Sequence, residues 1–299
     1  MNVVLNNPKL NPQHPLARNL RAFWHFRDRR QLAKDATRRG LRDAAVATGT
    51  LTHTDGRYGR EGEFDGSTYL KLSSATWMSF GANSFTVAAI ASTTSSSGFP
   101  VMVARQNTSI SGLAIQLRFG SGNPQFVARD ANGRIARAFS STARNDGRPH
   151  LYVGVLDYAA GYARLYVDGE FDTEDQGTAP GGGFDDEFSD ANADIAIGSY
   201  YGSAGSFWTG NIAAASWSGG ALSAGAIVGL WRDPFEPVRE QVFNIRYHAA
   251  AIEPTVISGP YCSVAAGIYS PGAVASQTFA AGASTSQIYA AGAEAAGAC

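Results

Sequence analysis

The chain has 299 residues, 44% of them hydrophobic and only 16% charged, with 34 glycines and a formal net charge of −1. That length and apolar share sustain one large core with appendages, and the low charge with abundant glycine favours short strands joined by turns over long solvated helices. The near-neutral balance gives no electrostatic case for a nucleic acid or an anionic membrane, no apolar run approaches the ~18 residues of a membrane span, and the only cysteines, Cys262 and Cys299, supply neither a disulfide framework nor a Cys-based metal site to the middle of the chain.

Residues 1–19, punctuated by Pro8, Pro12 and Pro15, read as an extended N-terminal arm. No secretory leader is legible there, so the expectation is folding in a reducing cytoplasm. Residues 20–248 carry the strand signals. An early basic cluster (Arg27, Arg29, Arg30, Lys34, Arg38, Arg39, Arg42) is interrupted by Asp28, Asp35 and Asp43 and reads as a solvated loop. Phe85 to Ile90 is a run of strand formers closed by a polar loop at 92–98, and Leu113 to Phe119 is the next. Phe126 to Arg129 and Arg134 to Arg137 flank Asp130-Ala131-Asn132-Gly133, whose Asn-Gly step suits a tight hairpin turn. His150 to Val155 pairs with Ala163 to Val167, and Asp168-Gly169 turns the chain again. Ala193 to Gly198 and Asn211 to Trp217 are late strands. Strands in this succession without intervening helices predict a sandwich or barrel. One helix follows: Ser223 is placed to cap it, Ile227, Leu230 and Trp231 share a face, and Pro234 ends it.

From 249 to 299 the composition changes to a Gly/Ala-rich tail with a ten-residue period that brings Tyr269, Phe279 and Tyr289 into phase, each followed by Gly-Ala. Such units are too small and too alanine-rich to bury a core alone, so they predict attachment or oligomerisation through those aromatics; a low-complexity linker is the plain alternative.

Four stretches of the middle region resemble the laminin-G-like 3 type of concanavalin-like domain. They are Leu20 to Phe26, the Gly59 to Leu70 segment containing Phe64-Asp65-Gly66, the Leu165-Tyr166-Val167-Asp168-Gly169 hairpin, and the Leu222-Ser223 helix running to Trp231 and on through Pro234, Phe235 and Pro237. The resemblance implies a mainly β fold, a two-sheet antiparallel jelly-roll sandwich with one short helix, in which Trp24, Phe64 and Leu165 are core and Gly66 and Gly169 are turn glycines. It specifies fold better than function, because each motif is a turn or packing device. Domains of this type, closed by a similar segment, occur in phage and prophage structural proteins.

The candidate chemistry is sparse. Glu170-x-Asp172-x-Glu174 on one strand would place three carboxylates on one face, the arrangement that some glycoside hydrolases of this fold use as nucleophile, tuning acid and acid/base. Solvated acids on a hairpin are the plain reading. Asp185 and Asp186, with Glu187, Asp190, Asp194 and Asp65, are the hard-oxygen residues a calcium ion would want, although no fixed ligand spacing appears. The five histidines show no zinc spacing. Tyr200, Tyr201 and Trp208 in a Gly/Ser-rich stretch are candidates to stack on sugar rings, unless Phe207 and Trp208 start a strand and pack inward.

The leading expectation is a non-enzymatic phage virion structural protein, a head decoration, fibre or tail component. It would be made in the host bacterial cytoplasm and held at the virion surface by its tail, with other virion proteins, its own copies and a host surface glycan as partners. A carbohydrate-binding host-adhesion module is the alternative, and a glycoside hydrolase using Glu170, Asp172 and Glu174 the third. No cofactor is expected, calcium being the one candidate.

Overall fold

Strands are the dominant secondary structure of the computed structural model, which describes residues 9–239 except 28–31, 38–41, 74–75, 108–111, 181, 191 and 201–205. The repeat tail with Tyr269, Phe279 and Tyr289, and also Tyr201, lie outside the described residues. In chain order the elements are β1 (Leu20–His25), β2 (Leu32–Asp35), β3 (Ala44–Thr48), β4 (Thr52–Gly56), β5 (Gly59–Asp65), β6 (Tyr69–Leu72), β7 (Phe85–Ser92) and β8 (Val101–Gln106). They continue as β9 (Ala114–Gly120), β10 (Asn123–Arg129), β11 (Ile135–Phe139), β12 (His150–Asp157), β13 (Tyr162–Val167), β14 (Glu170–Gln176), β15 (Asp194–Ile197) and β16 (Thr209–Gly219), with one α-helix, α1 (Ala224–Arg232).

The strands pair antiparallel in two sheets. Sheet A runs β14-β13-β12-β7-β16-β1, with the β4–β5 hairpin paired to the start of β16, and sheet B runs β11-β10-β9-β8-β15-β6-β3-β2. A short β1–β2 pairing, Trp24 with Asp35 and His25 with Lys34, carries one sheet into the other. The antiparallel jelly-roll sandwich with a single short helix is the fold expected from the sequence.

The core between the sheets contains Trp24, Phe64, Phe85, Phe119, Phe126, Leu165, Trp208 and Trp217, all essentially inaccessible. Sheet A is buried a second time on its other side. Ser223 Oγ accepts the Ala226 N–H at 3.3 Å and starts α1, whose Ile227 lies with Phe235 and Val238 over Phe23, Ile90, Leu151 and Val153. Two-sided cover explains why all eight residues of β7 are buried and why its sequence is apolar but for Thr86 and Ser92. Residues 9–19 join the same layer. Lys9 and Asn11 donate backbone N–H bonds to Val238 and Pro237, and Leu10 donates to Ala36.

The turn between β13 and β14 couples this cover to the sheet. Asp168 and Gly169 both adopt positive φ, +53° and +88°, and a Cβ on Gly169 would come within 3.0 Å of the Trp231 Cβ. Glycine is therefore needed for both the turn and the close approach of α1. Asp168 accepts the Leu151 N–H at 3.0 Å and meets His150 Nδ1 at 2.6 Å, while Asp146 lies 3.1 Å from His150 Nε2. The bond to Asp168 is the largest influence on His150 and raises its pKa above the ordinary 6.5. The folded state therefore holds the proton more tightly than the unfolded chain. That stabilisation is complete below the unfolded value and fades as pH rises through the folded one. The Tm should accordingly fall as pH rises above about 6.5, and His150→Gln should flatten this dependence; an equal slope in both proteins would show that His150 is not its source.

Candidate functional site

No described helix covers the outer face of sheet B. Cross-strand partners share a face, so the register identifies what that face carries. One row crosses six strands as Arg137, Val127, Gln116, Ala104, Ala196 and Lys71. A second runs Ile135, Arg129, Ala114, Gln106 and Asp194, and a third begins Phe139, Gln125 and Arg118. Where Ala104 and Ala196 meet, their small side chains leave a shallow groove of about 10 Å³, walled by Tyr69, Lys71, Gln106, Asp194 and Tyr200. That is about the room of one water and far below a ligand pocket, so the feature is a dimple in an open face and not an enclosed site.

The polar side chains beside the groove are fixed by one another. Gln116 Nε2 donates to Gln106 Oε1. Arg118 Nη1 donates to Gln116 Oε1 at 3.0 Å, and its Nε to Gln125 Oε1 at 3.3 Å. Burial first, and then the neighbouring Arg137 charge, pull the Arg118 guanidinium down to about 10. Arg129, whose Nε donates to the Gly112 carbonyl at 2.7 Å, is lowered by burial as well. Lys71 and Asp194 form an ion pair at 2.8 Å. Three large hydrophobic side chains are markedly exposed among the described residues, and two of them belong to this face: Phe139 is 46% exposed, and Phe99, 50% exposed, lies under the Arg118 guanidinium at 5.1 Å from its ring centroid.

Sequence reasoning found part of this face. Tyr200 does line the groove. Trp208 does not: it has no exposed surface, packs edge-on against Phe119 at 5.3 Å and leads into β16, so it presents no face to a sugar. Phe207 instead contacts the Tyr69 ring, at 6.0 Å between centroids. Phe99, Phe139 and the glutamine-arginine rows were not anticipated; outward alternation in β9 to β11 was the available signal.

The expectation that Glu170, Asp172 and Glu174 share one face is overturned. The β13–β14 register shifts between Leu165 and Tyr166, leaving Asp172 without an opposite number. Glu174 pairs with Arg164, and the two are ion-paired at 2.9 Å, whereas Glu170 pairs with Val167, which lines the core side. A bulge inverts the alternation on one side of itself, so the outer carboxylates lie on opposite faces and do not flank a common bond as a glycosidase pair must.

Asp185 and Asp186 do not converge on an ion. Asp185 Oδ2 accepts from Arg134 Nε at 2.9 Å, Asp186 Oδ1 accepts the Glu187 N–H at 2.7 Å, and both backbone N–H groups are directed to Asp130 Oδ2 at 3.3 Å. Among the described residues no group of three His, Cys, Asp or Glu side chains is arranged to hold a metal. Asp190 is engaged with Asn107, and its carbonyl accepts from Arg105 Nη2 at 2.8 Å.

Residues 64–228 match the Laminin_G_3 family of the concanavalin A-like lectin/glucanases superfamily, and the chain belongs to that family. No curated protein sequence matches the chain significantly. Among solved structures, domain 4 of AbnA, a GH43 extracellular arabinanase from Geobacillus stearothermophilus, in complex with arabinotriose, is 18% identical, covers 71% of this chain and 98% of its own, and superposes with a TM-score of 0.55. The binding domain of Paraclostridial Mosquitocidal Protein 1 is 12% identical over 73% of this chain, with a TM-score of 0.54, and that of botulinum neurotoxin serotype G is 11% identical over 72%, with a TM-score of 0.53. The chain spans about half the length of the two toxin domains, 53% and 51%. At these identities the likeness is one of fold.

Because the Asp185 and Asp186 carboxylates are spent on internal bonds, chelating calcium should leave the Tm unchanged. A ligand bound only to the folded state raises stability with its concentration, so a calcium-dependent rise in Tm, lost in Asp185→Asn/Asp186→Asn, would reveal a site the geometry does not indicate.

Proposed function

We propose that the domain is a non-catalytic glycan-binding module whose site is the outer face of sheet B. One observation carries this reading: the sheet face that no described helix covers bears half-exposed aromatic rings beside guanidinium groups that buried glutamines and a backbone carbonyl hold in place. Flat apolar rings receive the C–H faces of a sugar, and fixed polar groups bond its hydroxyls; the combination of apolar platform and few oriented polar groups is what a small-molecule site requires. The arabinotriose held by domain 4 of AbnA, which shares the fold, supports it. The bulge in β14 counts against a hydrolytic triplet. Screening the full-length protein on a glycan array that includes arabinotriose should find a ligand. Phe99→Ala and Phe139→Ala should each weaken that ligand about tenfold or more while leaving the Tm close to that of the parent, since both rings are half-exposed and a central aromatic anchor typically carries 2 kcal/mol or more. Undiminished affinity in the double variant would place the site elsewhere.

A second reading, attachment of this module to a phage particle, is favoured by the ten-residue repeat that brings Tyr269, Phe279 and Tyr289 into phase. Deleting residues 251–299 should leave a folded domain that neither self-associates in sedimentation nor joins particles. Normal incorporation of the truncated protein would remove the tail from that role.

A further inference from the structure

We propose that the glycan bound on the outer face of sheet B is an acidic one, whose uronic-acid carboxylates are gripped by Arg118, Arg129 and Arg137. This rests on the glycan-binding reading and names the ligand class within it.

The three arginines sit on adjacent strands, β9, β10 and β11, and all face outward. Three partly exposed arginines elsewhere in the domain are answered by carboxylates: Arg134 by Asp185, Arg164 by Asp157 and Glu174, Arg239 by Asp233. Here they are not. Arg118 is held by neutral glutamine oxygens and Arg129 by a backbone carbonyl, each through bonds that leave guanidinium N–H donors over, and no described carboxylate pairs with the exposed Arg137 guanidinium. The carboxylates of this neighbourhood are committed: Asp194 pairs with Lys71, and Asp175 Oδ2 accepts the backbone N–H of Arg137 at 2.7 Å.

Each guanidinium is a planar fork that matches a carboxylate with two parallel hydrogen bonds. Spacing argues for a polymer. Neighbouring strands lie about 4.8 Å apart and alternate residues about 6.8 Å, which separates the backbones of Arg129 and Arg137 by about 8 Å and those of Arg118 and Arg137 by about 12 Å. Long side chains meet across the shorter, diagonal spacing, so one carboxylate can be shared by Arg129 and Arg137, while Arg118, pinned by Gln116 and Gln125, is placed for the next acidic unit of a chain crossing the strands. Phe139, on the same row as Arg118, and Phe99, whose ring lies under the Arg118 guanidinium, supply the ring contacts beside them.

The test titrates full-length protein with oligogalacturonate, with its carboxyl-reduced neutral counterpart, and with dextran sulfate. Expected is a preference of about tenfold or more for the acid over its reduced form, as charge-assisted hydrogen bonds imply. That preference should shrink as salt rises and should collapse in Arg129→Gln/Arg137→Gln. Arg137 is exposed, so the single variant Arg137→Glu, checked by its melting temperature, keeps the test valid should the double variant be unstable; it should reverse the preference. Equal affinity for the acid and reduced chains overturns the acidic assignment and leaves the glycan-binding reading standing. Dextran sulfate binding as tightly as oligogalacturonate, with no loss in Arg137→Glu, also overturns it, as nonspecific polyanion attraction. Binding of no saccharide on this panel or the wider array overturns both.

Discussion

Ile227, Phe235 and Val238 close over Phe23, Ile90 and Val153, and that contact makes sheet A an interior layer. It depends on a turn only glycine can make at position 169, where α1 approaches the β13–β14 hairpin. It also ties both ends of the described chain to one layer, through the backbone bonds of Lys9 and Asn11 to residues 237 and 238. Among the described residues the outer face of sheet B is the one that no helix covers, and there the polar residues of β8 to β11 bond to one another at the surface of the sheet in place of an apolar cover. Site and fold are thus linked by where the helix lies, although the helix touches none of the groove residues.

Much of this was legible along the chain. The apolar run of β7, the Asn132-Gly133 hairpin, the β12–β13 pair and the capped helix each carry local signals, a period or a turn residue, and each appeared where predicted. Strand β8 did not show itself. Its sequence, Val101 to Gln106, contains an arginine that faces the core, where Arg105 Nη2 donates to the Asp190 carbonyl and burial pulls its pKa down to about 10. A charge inside a strand reads as a boundary unless its partner is known, and that partner is 85 residues away. The β14 bulge hid for a related reason: alternation assumes an unbroken ladder, and an extra residue shows only against its neighbour strand.

The groove was the least legible feature, for a geometric reason. Sequence runs along strands, while the site runs across them, one residue from each of β11, β10, β9, β8, β15 and β6. Tyr200 was found because it stands in an aromatic stretch. Arg137, Gln116 and Lys71 look ordinary in their own segments and acquire a shared meaning only through register. Trp208 shows the opposite error: it is prominent in the sequence and buried in the structure, next to Phe119.

Ala104 and Ala196 look outward from strands whose flanking residues, Val103, Arg105, Ile195 and Ile197, look inward. Adjacent positions of the same short strands therefore answer to different masters. Exchanging either alanine for a larger residue alters the depth of the groove while the interior keeps its side chains, so the shape of the recognition surface can drift independently of the scaffold. On the glycan-binding reading proposed above, substitutions at a few outward alanines would let the domain follow a changing surface polymer without refolding anything beneath them.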